Sequence, residues 1–124
     1  MAIEQKKILV VDDDEAVLDF LQAKLADFAV ITTNAPEHVL KLAKQHVPDL
    51  IVCDVDMPDM DGGDVSAALW GDDETRAIPV LFLTALASPP EIAASKGQIG
   101  GRAALSKRSP PADLIARIRA MVDA

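Results

Sequence analysis

The sequence of 124 residues contains one cysteine and no apolar run long enough to cross a bilayer. One cysteine excludes an internal disulfide and fits a reducing compartment. The first residues lack the apolar segment of a signal peptide, and the chain shows no repeat, linker or low-complexity tract. We therefore expect a cytoplasmic protein that folds as one domain over residues 1–124, without a separate output domain.

Basic residues are also in the minority. Lysine and arginine number 12 against 20 aspartates and glutamates, which gives a formal net charge of −8. This charge argues against direct binding of nucleic acid or of an anionic membrane, because both attract cationic surfaces. It suits metal cations and basic partner surfaces instead. Half of the residues are hydrophobic, so a chain of this length has enough apolar material for one core.

Five apolar segments alternate with helical patterns along the chain. The predicted strands are 7–11, 28–33, 50–53, 79–83 and 102–105. Helical spacing and capping patterns predict five helices, which begin near residues 15, 36, 63, 89 and 111. The second of them carries its apolar side chains through residue 47, and Ser109-Pro110 is expected to cap the last. This alternation predicts a doubly wound α/β fold, with a parallel sheet covered by helices on both faces.

Polar residues end four of these strands. Asp12 and Asp13 follow the first strand, Asp54 the third, Thr84 the fourth and Lys107 comes just after the fifth. Because the carboxyl ends of parallel strands share one edge of the sheet, we expect these side chains to converge. Close carboxylates repel one another by about 1 kcal/mol per pair in water and about 4 kcal/mol at an effective dielectric of 20. A hard cation relieves this repulsion, and Mg²⁺ suits a site of carboxylates, water and a substrate phosphate.

The same residues fit one kind of chemistry. A carboxylate can attack phosphorus and form an aspartyl phosphate. Phosphoryl transfer depends mainly on positioning and on neutralising charge, which a metal ion, a lysine and a hydroxyl donor supply. The residues at the strand ends therefore favour Mg²⁺-dependent phosphoryl transfer to one of these carboxylates.

Four motifs resemble, in order, those of a response-regulator receiver domain of two-component signal transduction. They span residues 8–14, 49–62, 79–85 and 105–107, and no insertion is needed between them. The resemblance implies a flavodoxin-like sheet of five parallel strands in the order 2-1-3-4-5, with five helices. It also implies a phospho-accepting signalling domain rather than an enzyme, although such domains promote their own phosphorylation and dephosphorylation.

The resemblance assigns a metal site. Asp13 would bind Mg²⁺ directly, and Asp12 would hold it mainly through water. Asp54 and the backbone carbonyl of Asp56 would be the other protein ligands.

The resemblance also assigns the phosphoryl site and its partners. Asp54 would take the phosphoryl group from a sensor histidine kinase or a histidine phosphotransfer protein. Thr84 would hydrogen-bond one phosphoryl oxygen, and Lys107 would pair with another. Phosphorylation would shift the domain from an inactive to an active state that signals to a downstream protein, and the family pattern allows a homodimer.

Two positions depart from the family pattern. Arg108 follows the lysine, where receivers usually have a proline that is often in a cis bond. Because a cis bond before a residue other than proline costs roughly 2.5–4 kcal/mol, we expect a trans bond here. Ala104 stands three residues before the lysine, where the family usually has a tyrosine or phenylalanine that moves with the threonine. The signal must then use another route, such as the loop of residues 85–90.

Two alternative functions stay open at this stage. The changes at Ala104 and Arg108 suit a docking module that keeps the receiver fold but no longer accepts phosphate. Asp54-Val55-Asp56 also resembles the Asp-x-Asp start of haloacid-dehalogenase-like phosphatases. In that family the acidic metal-binding pair comes after the lysine, whereas the acidic pair here is Asp12-Asp13, which argues for the receiver.

Overall fold

The structure is a computed structural model that describes residues 5–57, 60–99 and 102–123. Pro58 and Asp59 of the predicted acidic loop, and Gly100 and Gly101 before the last predicted strand, lie outside these residues. The strands of the described part are β1 Lys7–Val11, β2 Ala29–Thr33, β3 Leu50–Asp54, β4 Val80–Thr84, β5 Gln98–Ile99 and β6 Arg102–Ser106.

Five α-helices connect these strands in the described part of the chain. They are α1 Glu15–Lys24, α2 Val39–His46, α3 Gly62–Trp70, α4 Pro89–Ala94 and α5 Pro111–Val122. A short 3₁₀ turn, Pro36–His38, leads into α2. None of the described helices has the length and hydropathy that crossing a membrane requires.

The sheet has the order β2-β1-β3-β4-β6-β5. Its five longer strands are parallel, and their order confirms the predicted fold class. The prediction of five strands was wrong by one, because β5 pairs with β6 in an antiparallel hairpin at the edge of the sheet. Two exposed residues make up β5, so no hydrophobic alternation marked it in the sequence.

The core lies on both faces of the sheet. All five residues of β3 are buried, as expected for a central strand covered on both sides. Ile51 and Cys53 face the layer of α2, α3 and α4, whereas Leu50 and Val52 face the layer of α1 and α5. This packing fixes the central strand, and with it the position of Asp54 at its end.

The helix ends agree with the sequence patterns at the starts of α1 and α4 but not at the end of α2. Asp14 caps α1 by accepting the Ala16 N–H at 2.9 Å, and Ser88 forms the predicted capping box with Glu91. Val47 was expected on the buried side of the second helix, but it has a φ of 46° and is 64% exposed. The following proline disfavours the helical conformation at this residue, so the chain leaves the helix here.

The last helix begins directly after Ser109-Pro110, as predicted, but no side-chain hydrogen bond caps it. Helix α5 begins at Pro111, and its N-cap residue is Pro110, which supplies no side-chain hydrogen bond. A proline suits the first helical position because its missing N–H would have no partner within the helix. Ser109 instead donates its N–H to the carbonyl of Ser106 and closes the turn after β6.

Candidate phosphoryl-transfer site

The carboxyl edge of the sheet brings the predicted acidic residues together. One carboxylate oxygen from each of Asp12, Asp13 and Asp54 lies within 4.8 Å of the others. Asp12 and Asp54 are buried, at 2% and 4% exposure, and Asp13 is open to solvent. The ammonium of Lys107 lies 2.6 Å from Asp12 Oδ2 and 3.2 Å from Asp54 Oδ1. Strands β1, β3 and β6 therefore build one acidic site around a lysine, called here the acidic edge.

A repeated turn holds the polar side chains at the carboxyl ends of the parallel strands. At each end a side-chain oxygen accepts the N–H of the residue two positions later, as Asp, Ser and Thr favour in turns. The five pairs are Asp12 with Asp14 at 2.9 Å, Thr33 with Ala35 at 3.1 Å, Asp54 with Asp56 at 3.4 Å, Thr84 with Leu86 at 3.0 Å and Ser106 with Arg108 at 3.1 Å. Thr33 and Ser106 were not predicted from the sequence, although both share the pattern of Asp, Ser or Thr at a strand end.

Burial and charge set the protonation of the acidic edge. Burial, followed by the neighbouring charge of Asp12, raises the pKa of Asp54 from 3.8 to about 6, and contacts with Lys107 and with the Asp56 N–H oppose that rise. Burial alone would lower the pKa of Lys107, but its hydrogen bond to Asp12 and the charges of both aspartates raise it. At neutral pH the lysine is charged and Asp54 is mostly ionised.

The second oxygen of Asp54 is left for a ligand. Oδ1 contacts Lys107 and the Asp56 N–H, whereas Oδ2 has no hydrogen-bond partner among the described residues. In the same part of the chain, every fully buried side-chain nitrogen or oxygen has a partner. Oδ2 is therefore not completely buried, and a carboxylate oxygen without a partner can act as a nucleophile.

Thr84 lies at the end of the strand next to that of Asp54. It ends β4, one residue after Leu83, which pairs with Asp54. Its Oγ1 accepts the Leu86 N–H, so its hydroxyl hydrogen remains free to be donated to a ligand. The carboxyl ends of β3, β4 and β6 thus offer a carboxylate oxygen, a hydroxyl donor and a lysine along one edge of the sheet.

Asp56 lies outside the cluster that Asp12, Asp13 and Asp54 form. Its side chain is exposed and does not belong to the described cluster of three carboxylates. Its N–H fixes the carboxylate of Asp54 instead. The role of its carbonyl as a metal ligand stays a prediction.

The donor set fits a magnesium ion. Octahedral oxygen ligands at 2.0–2.1 Å from Mg²⁺ lie about 3–4 Å apart, and the oxygens of these three carboxylates all lie within 4.8 Å of one another. Both oxygens of Asp12 already have partners, Asp14 and Lys107, which favours contact with the ion through water. Asp13 is the exposed member of the cluster and is free to bind the ion directly.

The two departures from the receiver pattern have physical reasons. None of the described peptide bonds is cis, which confirms the trans bond expected before Arg108. The N–H of Arg108 donates to Ser106 Oγ, a bond that a proline at this position would be unable to form.

Ala104 is fully buried and pairs across the sheet with Phe82. A Cβ added at Gly62 would lie 2.9 Å from Phe82 Cε1, so the ring packs closely against the start of α3. The aromatic side chain on this face of the sheet therefore belongs to β4, and the neighbouring strand contributes only a methyl group.

Comparison with known proteins points to one family. The model of the response regulator receiver domain matches residues 8–119. The crystal structure of a response regulator from Desulfuromonas acetoxidans superposes with a TM-score of 0.79 at 25% identity, covering 95% of this chain and 97% of that one. The chemotaxis protein CheY4 of Vibrio cholerae also gives a TM-score of 0.79, at 27% identity and with coverage of 94% and 98%.

Curated relatives agree with the structural neighbours. The chain is 37% identical to the Bacillus subtilis alkaline phosphatase synthesis transcriptional regulatory protein PhoP, over 94% of its own length and 48% of that protein. It is 36% identical to the polar-differentiation response regulator DivK of Brucella anthropi, over 66% of its own length and 68% of that protein. The chain thus spans about half the length of the first relative and two thirds of the second.

Proposed function

Because the chain belongs to the response regulator receiver family, we propose that it accepts a phosphoryl group on Asp54 in a Mg²⁺-dependent reaction. The observation that carries the proposal is the acidic edge, where three carboxylates meet within 4.8 Å and Lys107 bridges two of them. A structural role alone would not require two buried acids to lie side by side, because their repulsion destabilises the fold.

The reaction transfers one phosphoryl group between two side chains. An oxygen of Asp54 attacks the phosphorus of a phosphohistidine, the P–N bond breaks, and the departing imidazole takes up a proton. The product is an acyl phosphate on Asp54 and a neutral histidine on the donor. The donor is a sensor histidine kinase or a histidine phosphotransfer protein in the cytoplasm.

The residues of the acidic edge have distinct tasks in this reaction. Asp12, Asp13, Asp54 and the Asp56 carbonyl would hold a magnesium ion, which would neutralise charge on the transferring group. Lys107 is already placed between Asp12 and Asp54, and its ammonium pairs with a phosphoryl oxygen once Asp54 is modified.

The hydroxyl of Thr84 donates to another phosphoryl oxygen and links the site to the loop that follows β4. Leu86 donates its N–H to the same Thr84 oxygen, and its side chain is 72% exposed. A movement of Thr84 toward the phosphoryl group therefore shifts an apolar surface residue. This loop is the route by which the domain signals to a downstream protein without an aromatic residue at position 104.

The proposal is tested by phosphorylation with a small donor. Incubation with Mg²⁺ and acetyl phosphate should add the mass of one phosphoryl group, and fragmentation should place it on Asp54. Asp54→Asn should abolish the modification. Asp19→Asn, at an exposed residue of α1, removes the same charge away from the site and should leave it unchanged.

A second readout separates phosphorylation from docking. Beryllofluoride with Mg²⁺ should shift the amide signals of Thr84 and Leu86 in the wild-type protein and not in Asp54→Asn. A protein that gains no mass and shows no shift would be a docking module on a receiver fold. Repeated turnover of a phosphate ester would point to a phosphatase.

A further inference from the structure

A second charged site lies at the opposite end of the sheet. A cavity of about 230 Å³ is lined by residues at the starts of β4 and β6, by the end of α3 and by the segment before β4. It is called here the Trp70 cleft, and its lining residues are Trp70, Arg76, Ala77, Ile78, Pro79, Val80, Arg102 and Ala103. Because β4 and β6 are parallel, their first residues lie away from the acidic edge at their carboxyl ends.

The cleft is built around a stacked arginine. The guanidinium of Arg102 lies 3.3 Å from the centroid of the Trp70 ring, and its Nη1 donates to the buried Ser66 hydroxyl at 2.6 Å. These two contacts hold the cation in a fixed orientation. A guanidinium carries several further N–H donors in its plane, and none of them has another partner among the described residues.

The charge of the cleft is opposite to that of the whole protein. Its described lining contains two arginines and no acidic residue, in a chain of net charge −8. Arg102 forms no salt bridge with a carboxylate of the described residues. Among the described residues, Arg76 forms a salt bridge only with Asp73, whose side chain is almost fully exposed, and such pairs are weak.

We propose that the Trp70 cleft binds a small anionic ligand with a flat ring, of the nucleotide class. Half of the Trp70 surface is exposed, and an indole face or a guanidinium plane is a good stacking partner for a base. The unused donors of Arg102, together with Arg76, suit a phosphate group, to which arginine binds in a planar, bidentate manner.

The chain offers a direct reporter for this site. Trp70 is the single tryptophan of the sequence, so a ¹⁵N-labelled sample gives one indole N–H signal. Guanosine 5′-monophosphate and adenosine 5′-monophosphate, titrated without Mg²⁺, should shift this signal with saturation. Guanosine, adenosine and inorganic phosphate each lack one half of the proposed recognition and should bind about tenfold more weakly or worse.

Matched substitutions separate a binding site from a general charge effect. Arg102→Gln should weaken nucleotide binding about tenfold or more, and Arg76→Gln should weaken it less. Arg119→Gln removes the same charge from another arginine that lies over an aromatic ring, Phe28, and should leave binding unchanged. Thermal melting of each variant shows whether it is folded.

Three outcomes would overturn the proposal. One is a shift that does not saturate, or that phosphate alone reproduces. Another is equal nucleotide binding by wild type and a folded Arg102→Gln protein, or an equal loss in Arg119→Gln. The third is a set of shifts confined to Asp54 and Lys107, because the phosphate would then occupy the acidic edge. Phosphorylation of Asp54 is measured separately, so failure here leaves that proposal intact.

Discussion

Arg102 begins β6 and Lys107 directly follows its end, but their cations have opposite surroundings. Lys107 lies between two buried carboxylates, both within 3.2 Å of its ammonium. Arg102 lies on an indole ring, with a serine hydroxyl as its hydrogen-bond partner and no described carboxylate in reach. The lysine therefore offsets charge that the fold has already buried, whereas the arginine adds charge that the fold leaves available. Substitutions of the two residues should therefore change the free energy of unfolding by different amounts.

Removing the lysine should give the largest effect. Lys107→Met leaves Asp12 and Asp54 buried together without a cation, so we expect a loss of about 3 kcal/mol in the free energy of unfolding at pH 7.5 without Mg²⁺. Urea denaturation measures it. The loss should be smaller at pH 5, where Asp54 is largely protonated because its pKa is about 6.

The matched substitution in the Trp70 cleft is Arg102→Met. It leaves no buried acid without a cation, so it should lower the free energy of unfolding by about 1 kcal/mol or less. Equal losses in Lys107→Met and Arg102→Met would contradict the comparison. So would a Lys107→Met loss that is the same at both pH values.

Magnesium should stabilise the acidic edge and leave the Trp70 cleft unaffected. At a concentration one hundred times its dissociation constant, an ion that binds only the folded state adds about 2.7 kcal/mol to the free energy of unfolding. Asp13→Asn should lose most of this gain, because Asp13 is the exposed carboxylate of the cluster. Thermal melting with and without Mg²⁺ measures the gain.

Asp73→Asn serves as the control for magnesium, since it removes an exposed carboxylate beside Arg76. Its stabilisation by Mg²⁺ should equal that of the wild type. A melting temperature that does not respond to Mg²⁺ in the wild type would argue against the proposed metal site.

The charge of Asp54 should make the metal-free protein less stable as the pH rises. Since the pKa of Asp54 is raised to about 6 in the folded state, that state binds more protons than the unfolded chain between pH 3.8 and about 6. The free energy of unfolding therefore falls across this window and stays low above it. Asp54→Asn removes the titrating group, so it should raise stability at pH 7.5 by about 2 kcal/mol in EDTA.

Urea denaturation between about pH 4 and pH 8 checks this prediction, with Asp19→Asn as the control. The Asp54→Asn curve should be flatter than that of the wild type, and the control curve should follow the wild type. A less stable Asp54→Asn protein at pH 7.5 would show that the bond to Lys107 outweighs the burial of the charge.

The acidic edge could be predicted from the sequence because each of its residues belongs to a local signal. The apolar run before Asp54 predicts that this acid lies at the end of a buried strand. The parallel arrangement of the strands brings Asp12 and Lys107 to the same edge. Alternation predicted that these strands are parallel, and the family resemblance implied their order. The direct bridge of Lys107 to Asp12 depends on side-chain packing, and no sequence signal indicated it.

The Trp70 cleft could not be predicted because it has no local signal. Trp70 ends α3 and Arg102 begins β6, so the contact between them depends on how a helix and a strand pack across the sheet. Strand β5, with only two residues, is likewise defined by its partner and not by its own composition. Contacts that follow from the regular geometry of strands could therefore be predicted from the sequence, whereas contacts made by single long side chains could not.

The smallest predicted effect concerns the stacking of Arg102 on Trp70. A double-mutant cycle with Trp70→Leu and Arg102→Gln isolates this contact from the other effects of each substitution. The coupling energy from urea denaturation should be about 0.5–1 kcal/mol, because the ring is half exposed and the cation keeps part of its hydration. The same cycle on Lys24 and Phe20, two exposed residues of α1 whose ammonium and ring centroid lie 5.6 Å apart, should give less. Equal coupling in the two cycles would mean that Arg102 is no better ordered than a surface lysine. The cleft would then lack the fixed cation on which its proposed ligand depends.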